Sequence, residues 1–110
     1  MSKLRIVQYG CGKMSKYSMR YVYEKGTEIV GAIDINQDII GQDIGTIMET
    51  GYKGVTVTSV NDARELLTNL RPDAVIVTTM SLLSDLEDAL MLCAELGINA
   101  ISTCEEAFFS

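Results

Sequence analysis

The sequence has no histidine, one proline and three cysteines in 110 residues. Without histidine, this segment cannot supply a histidine-based catalytic triad, a histidine-ligated zinc site or an imidazole general base. Cys11, Cys93 and Cys104 are odd in number and lack the spacing of a metal site. We therefore interpret the cysteines as free thiols of a cytoplasmic protein, and we expect no bound metal ion.

Long apolar runs are also missing. No run approaches the ~18 residues that a membrane-spanning helix requires. The N-terminus has neither the apolar stretch nor the cleavage site of a signal peptide. The sequence therefore favours a cytoplasmic location and no membrane partner, and its length suits one domain over residues 1–110.

Charge is unevenly distributed along the chain. The net charge is −6, with nine basic and fifteen acidic residues. Six of the basic residues and one acidic residue lie in residues 1–25, so the rest of the chain carries three basic and fourteen acidic residues. The acidic majority argues against nonspecific binding to nucleic acid. The basic N-terminal segment suits a small anionic ligand, although scattered surface charge is the alternative.

Short apolar runs alternate with longer amphipathic runs. The apolar runs predict strands over residues 4–9, 28–34, 55–58, 73–78 and 98–102. The amphipathic runs predict a helix over residues 13–25, which Gly26 caps at its C-terminus, and a helix over 81–96, which Gly97 caps. They also predict a helix to Leu70 with Asn61 or Asp62 as its N-cap, and a loop or short helix over 37–49. Strands that alternate with helices form parallel units with right-handed crossovers. The sequence therefore predicts an α/β fold of Rossmann type, with a doubly wound parallel sheet of order 3-2-1-4-5 and helices on both faces.

A glycine turn lies between the first predicted strand and the first predicted helix. It consists of Gly10, Cys11, Gly12, Lys13 and Met14. Gly10 permits a tight turn, and Gly12 lacks a Cβ, so a pyrophosphate can approach the N–H groups at the helix N-terminus. Lys13 could reach a phosphate or point into solvent. We expect this turn to bind a dinucleotide, and a turn without a ligand is the alternative.

Polar residues also follow the later strands, where ligands of open parallel sheets bind. Asp34 ends the second strand, where a carboxylate can accept hydrogen bonds from the adenosine ribose. It would repel a 2′-phosphate, so NAD is favoured over NADP. A turn or helix cap is the alternative role for Asp34. Thr78 and Thr79 end the fourth strand and Ser102 ends the fifth, so we expect all three beside the cofactor.

Two acids follow the fifth strand. Glu105 and Glu106 are candidates for the substrate side of the site, because paired carboxylates can do acid–base work or hold a cation. Solvated loop acids would show the same pattern. We assign no catalytic residue.

The motifs resemble those of a known superfamily. Residues 12–15, GKMS, resemble the GRMG turn of the dihydrodipicolinate reductases, with Ser15 in place of the last glycine. Residues 32–34 and 41–45 resemble the AxD and GxDxG stretches of the same superfamily. Residues 99–106, NAISTCEE, are similar to the NVISTCEE segment of the 2,4-diaminopentanoate dehydrogenases.

This resemblance implies the NAD(P)-binding domain of an amino-acid dehydrogenase. Enzymes of this kind oxidatively deaminate 2,4-diaminopentanoate to 2-amino-4-oxopentanoate in ornithine fermentation. The resemblance also implies a homo-oligomeric parent with a second, substrate-binding domain beyond Ser110, so we expect no activity from the 110-residue segment alone. A dihydrodipicolinate reductase-like imine reductase domain and a non-catalytic NAD(H)-sensing module remain alternatives.

Overall fold

The computed structural model describes residues 4–10, 15–78 and 83–102 of the chain. It contains one five-stranded sheet in the order β3-β2-β1-β4-β5. The strands are β1 (Arg5–Tyr9), β2 (Glu28–Asp34), β3 (Val57–Ser59), β4 (Ala74–Val77) and β5 (Asn99–Ser102). The helices are α1 (Ser15–Glu24), α2 (Ile44–Ile47), α3 (Ala63–Leu70) and α4 (Leu83–Leu96). The four pairings between neighbouring strands are parallel, so the predicted order and orientation are confirmed.

Two apolar layers cover the faces of the sheet. The first layer lies beneath α1 and α2 and consists of Ile6, Met19, Val22, Ile29, Ala32, Ile44, Met48 and Val57. The second lies beneath α3 and α4 and consists of Val7, Tyr9, Ile33, Ala63, Leu67, Val75, Val77, Ala89 and Cys93. In β1, Ile6 belongs to the first layer and Val7 and Tyr9 to the second, because neighbouring side chains of a strand point to opposite faces. The helices therefore lie on both faces, as predicted.

Two helices end at glycines in the left-handed conformation. Gly26 follows α1 with a φ of +80°, and Gly97 follows α4 with a φ of +72°. After α4, the Ile98 N–H donates to the Cys93 carbonyl at 2.8 Å. Both glycines therefore act as the C-terminal caps that the sequence predicted.

The third strand differs from its predicted bounds. We expected residues 55–58, but β3 is Val57–Ser59. The Val55 N–H donates to Asp43 Oδ1 at 2.9 Å, and the Val55 carbonyl accepts from the Ile44 N–H at 2.8 Å. Val55 is therefore held in the loop before β3 by contacts with distant residues, and the parallel pairing begins after it.

The start of α3 also differs in detail. Asp62 occupies the N-cap position of α3, which is one of the two predicted caps. A 3-10 turn over Val60–Asp62 precedes the helix, and the Ser59 hydroxyl caps that turn by accepting from the Asn61 N–H at 3.2 Å. The capping hydrogen bond thus comes from a residue that the helical pattern did not include.

Cys93 is a free thiol, as predicted, and it lies fully buried on α4. Burial raises the pKa of this thiol. The other two cysteines, Cys11 and Cys104, lie outside the described residues.

Across the described ranges, none of the helices has both the length and the apolar character to cross a membrane.

Candidate functional site

The candidate site lies at the carboxyl edge of the sheet. Because the strands are parallel, the ends of β1, β2, β4 and β5 meet at this edge. Gly10 and Thr78 directly follow β1 and β4, while Asp34 and Ser102 are the last residues of β2 and β5. The structure therefore brings together four of the residues that the sequence predicted for cofactor binding.

Gly10 adopts a backbone conformation that favours glycine, with a φ of +97°. Its N–H donates to the Ile33 carbonyl at 2.7 Å, which joins the ends of β1 and β2. Its carbonyl accepts from Gln8 Nε2 at 2.8 Å and from the Thr78 hydroxyl at 2.8 Å. The first residue of the glycine turn is thus fixed on both sides by hydrogen bonds.

The remaining residues of the predicted site lie outside the described residues. They are Cys11, Gly12, Lys13, Met14, Thr79, Glu105 and Glu106. Their assignments stay predictions from the sequence. For Ser102, the structure describes the position in β5 and its pairing with Val77.

Asp34 is buried at the edge, with 8% of its surface exposed. Its Oδ1 accepts from the Ile35 N–H at 2.6 Å and from the Asn36 N–H at 2.9 Å. These bonds stabilise the turn after β2, which is the alternative role that the sequence left open. A carboxylate has about four acceptor positions, so a turn-stabilising aspartate can also accept from ribose hydroxyls.

Gln8 is a site residue that the sequence reasoning missed. It lies in β1 with 0% of its surface exposed, and its Nε2 donates to the Thr78 hydroxyl at 2.6 Å as well as to Gly10. Thr78, which we expect beside the cofactor, donates its hydroxyl proton to the Gly10 carbonyl. A glutamine inside the apolar run of the first strand was the available signal, since buried amides require hydrogen-bond partners.

The loop before β3 depends on Asp43. Its Oδ2 accepts from the Gly45 and Lys53 N–H groups at 2.8 Å each, and its Oδ1 accepts from Val55. Desolvation on its own raises the pKa of this carboxyl, but these donors, with that of Gly54, outweigh it, so the pKa lies below its ordinary value.

Gly45 completes this loop. A Cβ at this position would collide with the Gly51 carbonyl oxygen and would lie 2.7 Å from Asp43 Oδ2. The GxDxG stretch over residues 41–45 therefore has a structural explanation: the aspartate ties the loop together and the second glycine makes room for it.

Comparisons with known proteins agree with this architecture. A family model described as "Dihydrodipicolinate reductase, N-terminus" matches residues 4–104. Among solved structures, the chain is similar to an amine dehydrogenase from Mycobacterium smegmatis, with a TM-score of 0.83 and 38% identity over 96% of this chain. A search of curated proteins gave no match.

The chain is also similar in fold to RSP, a Rex-family repressor, at 16% identity over 98% of this chain. The TM-score is 0.73 for one RSP structure and 0.71 for RSP in complex with β-NADH. At this identity the likeness shows the fold alone. The chain spans 31% of the amine dehydrogenase and 56–57% of the RSP chains. Because the family model matches residues 4–104, which include every strand of the described sheet, this chain belongs to the dihydrodipicolinate reductase N-terminal family.

Proposed function

We propose that this chain binds NAD(H) at the carboxyl edge of its sheet and serves as the cofactor domain of an amine-oxidising dehydrogenase. The observation that carries the proposal is the left-handed Gly10 at the end of β1, beside Asp34 at the end of β2. Tyr9 and Ile33, which precede them, are paired in the sheet. One dinucleotide can therefore place its pyrophosphate at the first residue and its adenosine ribose at the second.

Each part of the cofactor has proposed contacts. The glycine turn over residues 10–14 binds the pyrophosphate through backbone N–H groups. Asp34 accepts from the ribose hydroxyls. We assign Thr78 and Ser102, and Thr79 from the sequence alone, to the nicotinamide half, because β4 and β5 are on the other side of β1 from β2.

Charge near Asp34 supports a preference for NAD over NADP. The carboxylate repels a 2′-phosphate, and the one basic residue between Asp34 and Arg64 is Lys53. The Lys53 ammonium lies over the Tyr23 ring, 4.7 Å from its centroid. This cation–π contact holds the Lys53 side chain against α1. Lys53 would have to leave Tyr23 before it could bind a 2′-phosphate.

The proposed reaction is oxidative deamination of an amino acid, with 2,4-diaminopentanoate as the substrate. When bound, NAD⁺ would supply the hydride acceptor for oxidation of the carbon that bears the amino group, with release of a proton, and hydrolysis would then yield a ketone and ammonia. The 38% identity to the M. smegmatis enzyme supports an amine substrate. The NAISTCEE segment supports the diamino acid, with Glu105 and Glu106 beside its ammonium groups.

The parent protein supplies the rest of the site in this proposal. A second domain binds the substrate and supplies the contacts of a homo-oligomer. The parent protein is cytoplasmic and has neither nucleic acid nor membrane as a partner. The family match also favours a second candidate, reduction of a dihydrodipicolinate-like imine. Assays with the diamine and NAD⁺, and with the imine and NADPH, separate the two candidates in the full-length protein.

Titration of the 110-residue chain with NADH and NADPH, followed by fluorescence or calorimetry, tests the cofactor proposal. We expect saturable NADH binding, and weaker binding in Gly10→Ala because a Cβ strains the left-handed turn. Gly97→Ala is the matched control: it introduces the same kind of strain, but after α4, before the amino end of β5. The proposal fails if the folded wild-type chain binds neither cofactor at millimolar concentration, or if the two variants bind NADH alike.

A further inference from the structure

Three polar groups form a closed arrangement behind the glycine turn. Gln8 Nε2 donates to both the Gly10 carbonyl and the Thr78 hydroxyl oxygen, at 2.8 and 2.6 Å. The Thr78 hydroxyl donates to the same Gly10 carbonyl at 2.8 Å. Gln8 and Thr78 lie 70 residues apart, so the folded sheet creates this arrangement by placing β4 beside β1.

The chemistry of the three groups fixes the direction of each bond. The Gly10 carbonyl can only accept, so the group that faces it from Gln8 must be the amide NH₂. The Thr78 hydroxyl has one proton, and that proton is used on Gly10. Its oxygen then accepts from Gln8. Both side chains therefore direct hydrogen-bond donors to one backbone carbonyl at the start of the turn.

This carbonyl belongs to the residue with the left-handed backbone. Gly10 is flexible by nature, because glycine loses more conformational freedom on folding than any other residue. Two donors on its carbonyl and one acceptor for its N–H restrict that freedom before any ligand binds. A site that is already in its binding conformation binds more tightly than one that must be ordered.

We propose that Gln8 and Thr78 are positioning residues that hold Gly10 in the conformation required for dinucleotide binding, and that the Thr78 hydroxyl acts through Gly10 and not by direct contact with the cofactor. This inference rests on the proposed function. Gln8 is fully buried. The inference nevertheless predicts that loss of the Gln8 amide weakens cofactor binding, as loss of the Thr78 hydroxyl does.

The test uses Thr78→Val, Thr78→Ser and Gln8→Met in the 110-residue chain. We expect Thr78→Val and Gln8→Met each to raise the Kd for NADH about three- to tenfold, the change expected from the loss of one hydrogen bond. Thr78→Ser keeps the hydroxyl and should retain the wild-type Kd. The double variant should lose less than the product of the single effects, because both side chains act on one carbonyl.

Thr27→Val is the matched control. The Thr27 hydroxyl donates to the Val22 carbonyl at 2.6 Å, but Thr27 precedes β2 at the amino edge of the sheet. We expect this variant to lose stability without a change in the Kd for NADH. Affinities are measured well below the unfolding temperature of each variant, so that a purely structural role leaves them unchanged.

Hydrogen exchange of the Gly10 amide provides a readout without ligand. The Gly10 N–H donates to the Ile33 carbonyl, and we expect its exchange to be faster in Thr78→Val and Gln8→Met than in Thr27→Val. If wild type binds no NADH, the proposed function fails, and the exchange data still decide whether the two side chains hold Gly10. A higher Kd in Thr78→Val with unchanged exchange and a normal Gln8→Met indicates direct cofactor contact, which overturns the inference. Unchanged affinity and exchange in both variants overturn it as well.

Discussion

Substitution of Asp34 separates its two possible roles, because the structure shows how its carboxylate is used. Both backbone donors, from Ile35 and Asn36, bond to the same oxygen, Oδ1. Asp34→Asn can keep both bonds through its own amide oxygen while it removes the negative charge. Asp34→Ala removes the bonds and the charge together.

The expected magnitudes follow from this geometry. Loss of a ribose hydrogen bond to a charged group costs about 1.5–3 kcal/mol, and about 1.4 kcal/mol corresponds to a tenfold change in affinity. We therefore expect both variants to shift the ratio of NADH to NADPH affinity toward NADPH by about tenfold or more. Asp34→Ala should also lose about 1–3 kcal/mol of stability, since it leaves two donors of the turn without their acceptor.

The assay is parallel titration of NADH and NADPH against the two variants and wild type, with urea unfolding to measure stability. The two variants control for each other, because they differ in the turn and share the loss of charge. If neither variant changes the affinity ratio, Asp34 only stabilises the turn, and the reasoning about cofactor choice is wrong.

Further predictions concern the loop before β3 and the substrate side. Folding lowers the pKa of the Asp43 carboxyl from its ordinary value of 3.8. The ionised carboxylate therefore stabilises the fold fully above pH 3.8, and this stabilisation is lost as the pH falls through the lowered pKa. In urea unfolding, the stability advantage of wild type over Asp43→Asn should shrink below about pH 4. Gly45→Ala should cost about 1–3 kcal/mol through overpacking, whereas Gly51→Ala should cost less, since a Cβ there meets no described atom within 4 Å. If the full-length protein oxidises the diamine as proposed, Glu105→Gln or Glu106→Gln should raise KM for the diamine, or lower kcat, about tenfold with an unchanged KM for NAD⁺. Wild-type kinetics in both variants would place the substrate site elsewhere.

The sheet was predictable from the sequence because its signals are local. The second strand, predicted over 28–34, is Glu28–Asp34 in the structure, since an apolar run lies there between a helix-ending glycine and an aspartate. Gly26 and Gly97 marked helix ends through their conformational freedom. The parallel order followed from the alternation of strands and helices.

What the sequence did not reveal depends on contacts between distant residues. Val55 looked like part of a strand, and its hydrogen bond to Asp43 cannot be read from local pattern. The bonds from Gln8 to Thr78 and Gly10 form only when β1 and β4 pair. Asp34 was placed correctly at the edge, but its use of Oδ1 in the turn required side-chain geometry.

The most direct test of the account is an NMR titration of the isotopically labelled chain with NADH. The account predicts that amide signals at the carboxyl edge shift first and saturate together, including those of Gly10, Ile35 and Asn36, which lie at the ends of β1 and β2. The signals of Thr27 and Gly97, at the amino edge, should stay in place. Saturable shifts centred on the amino edge, or no shifts at millimolar NADH in the folded chain, would contradict the claim that this edge binds a dinucleotide.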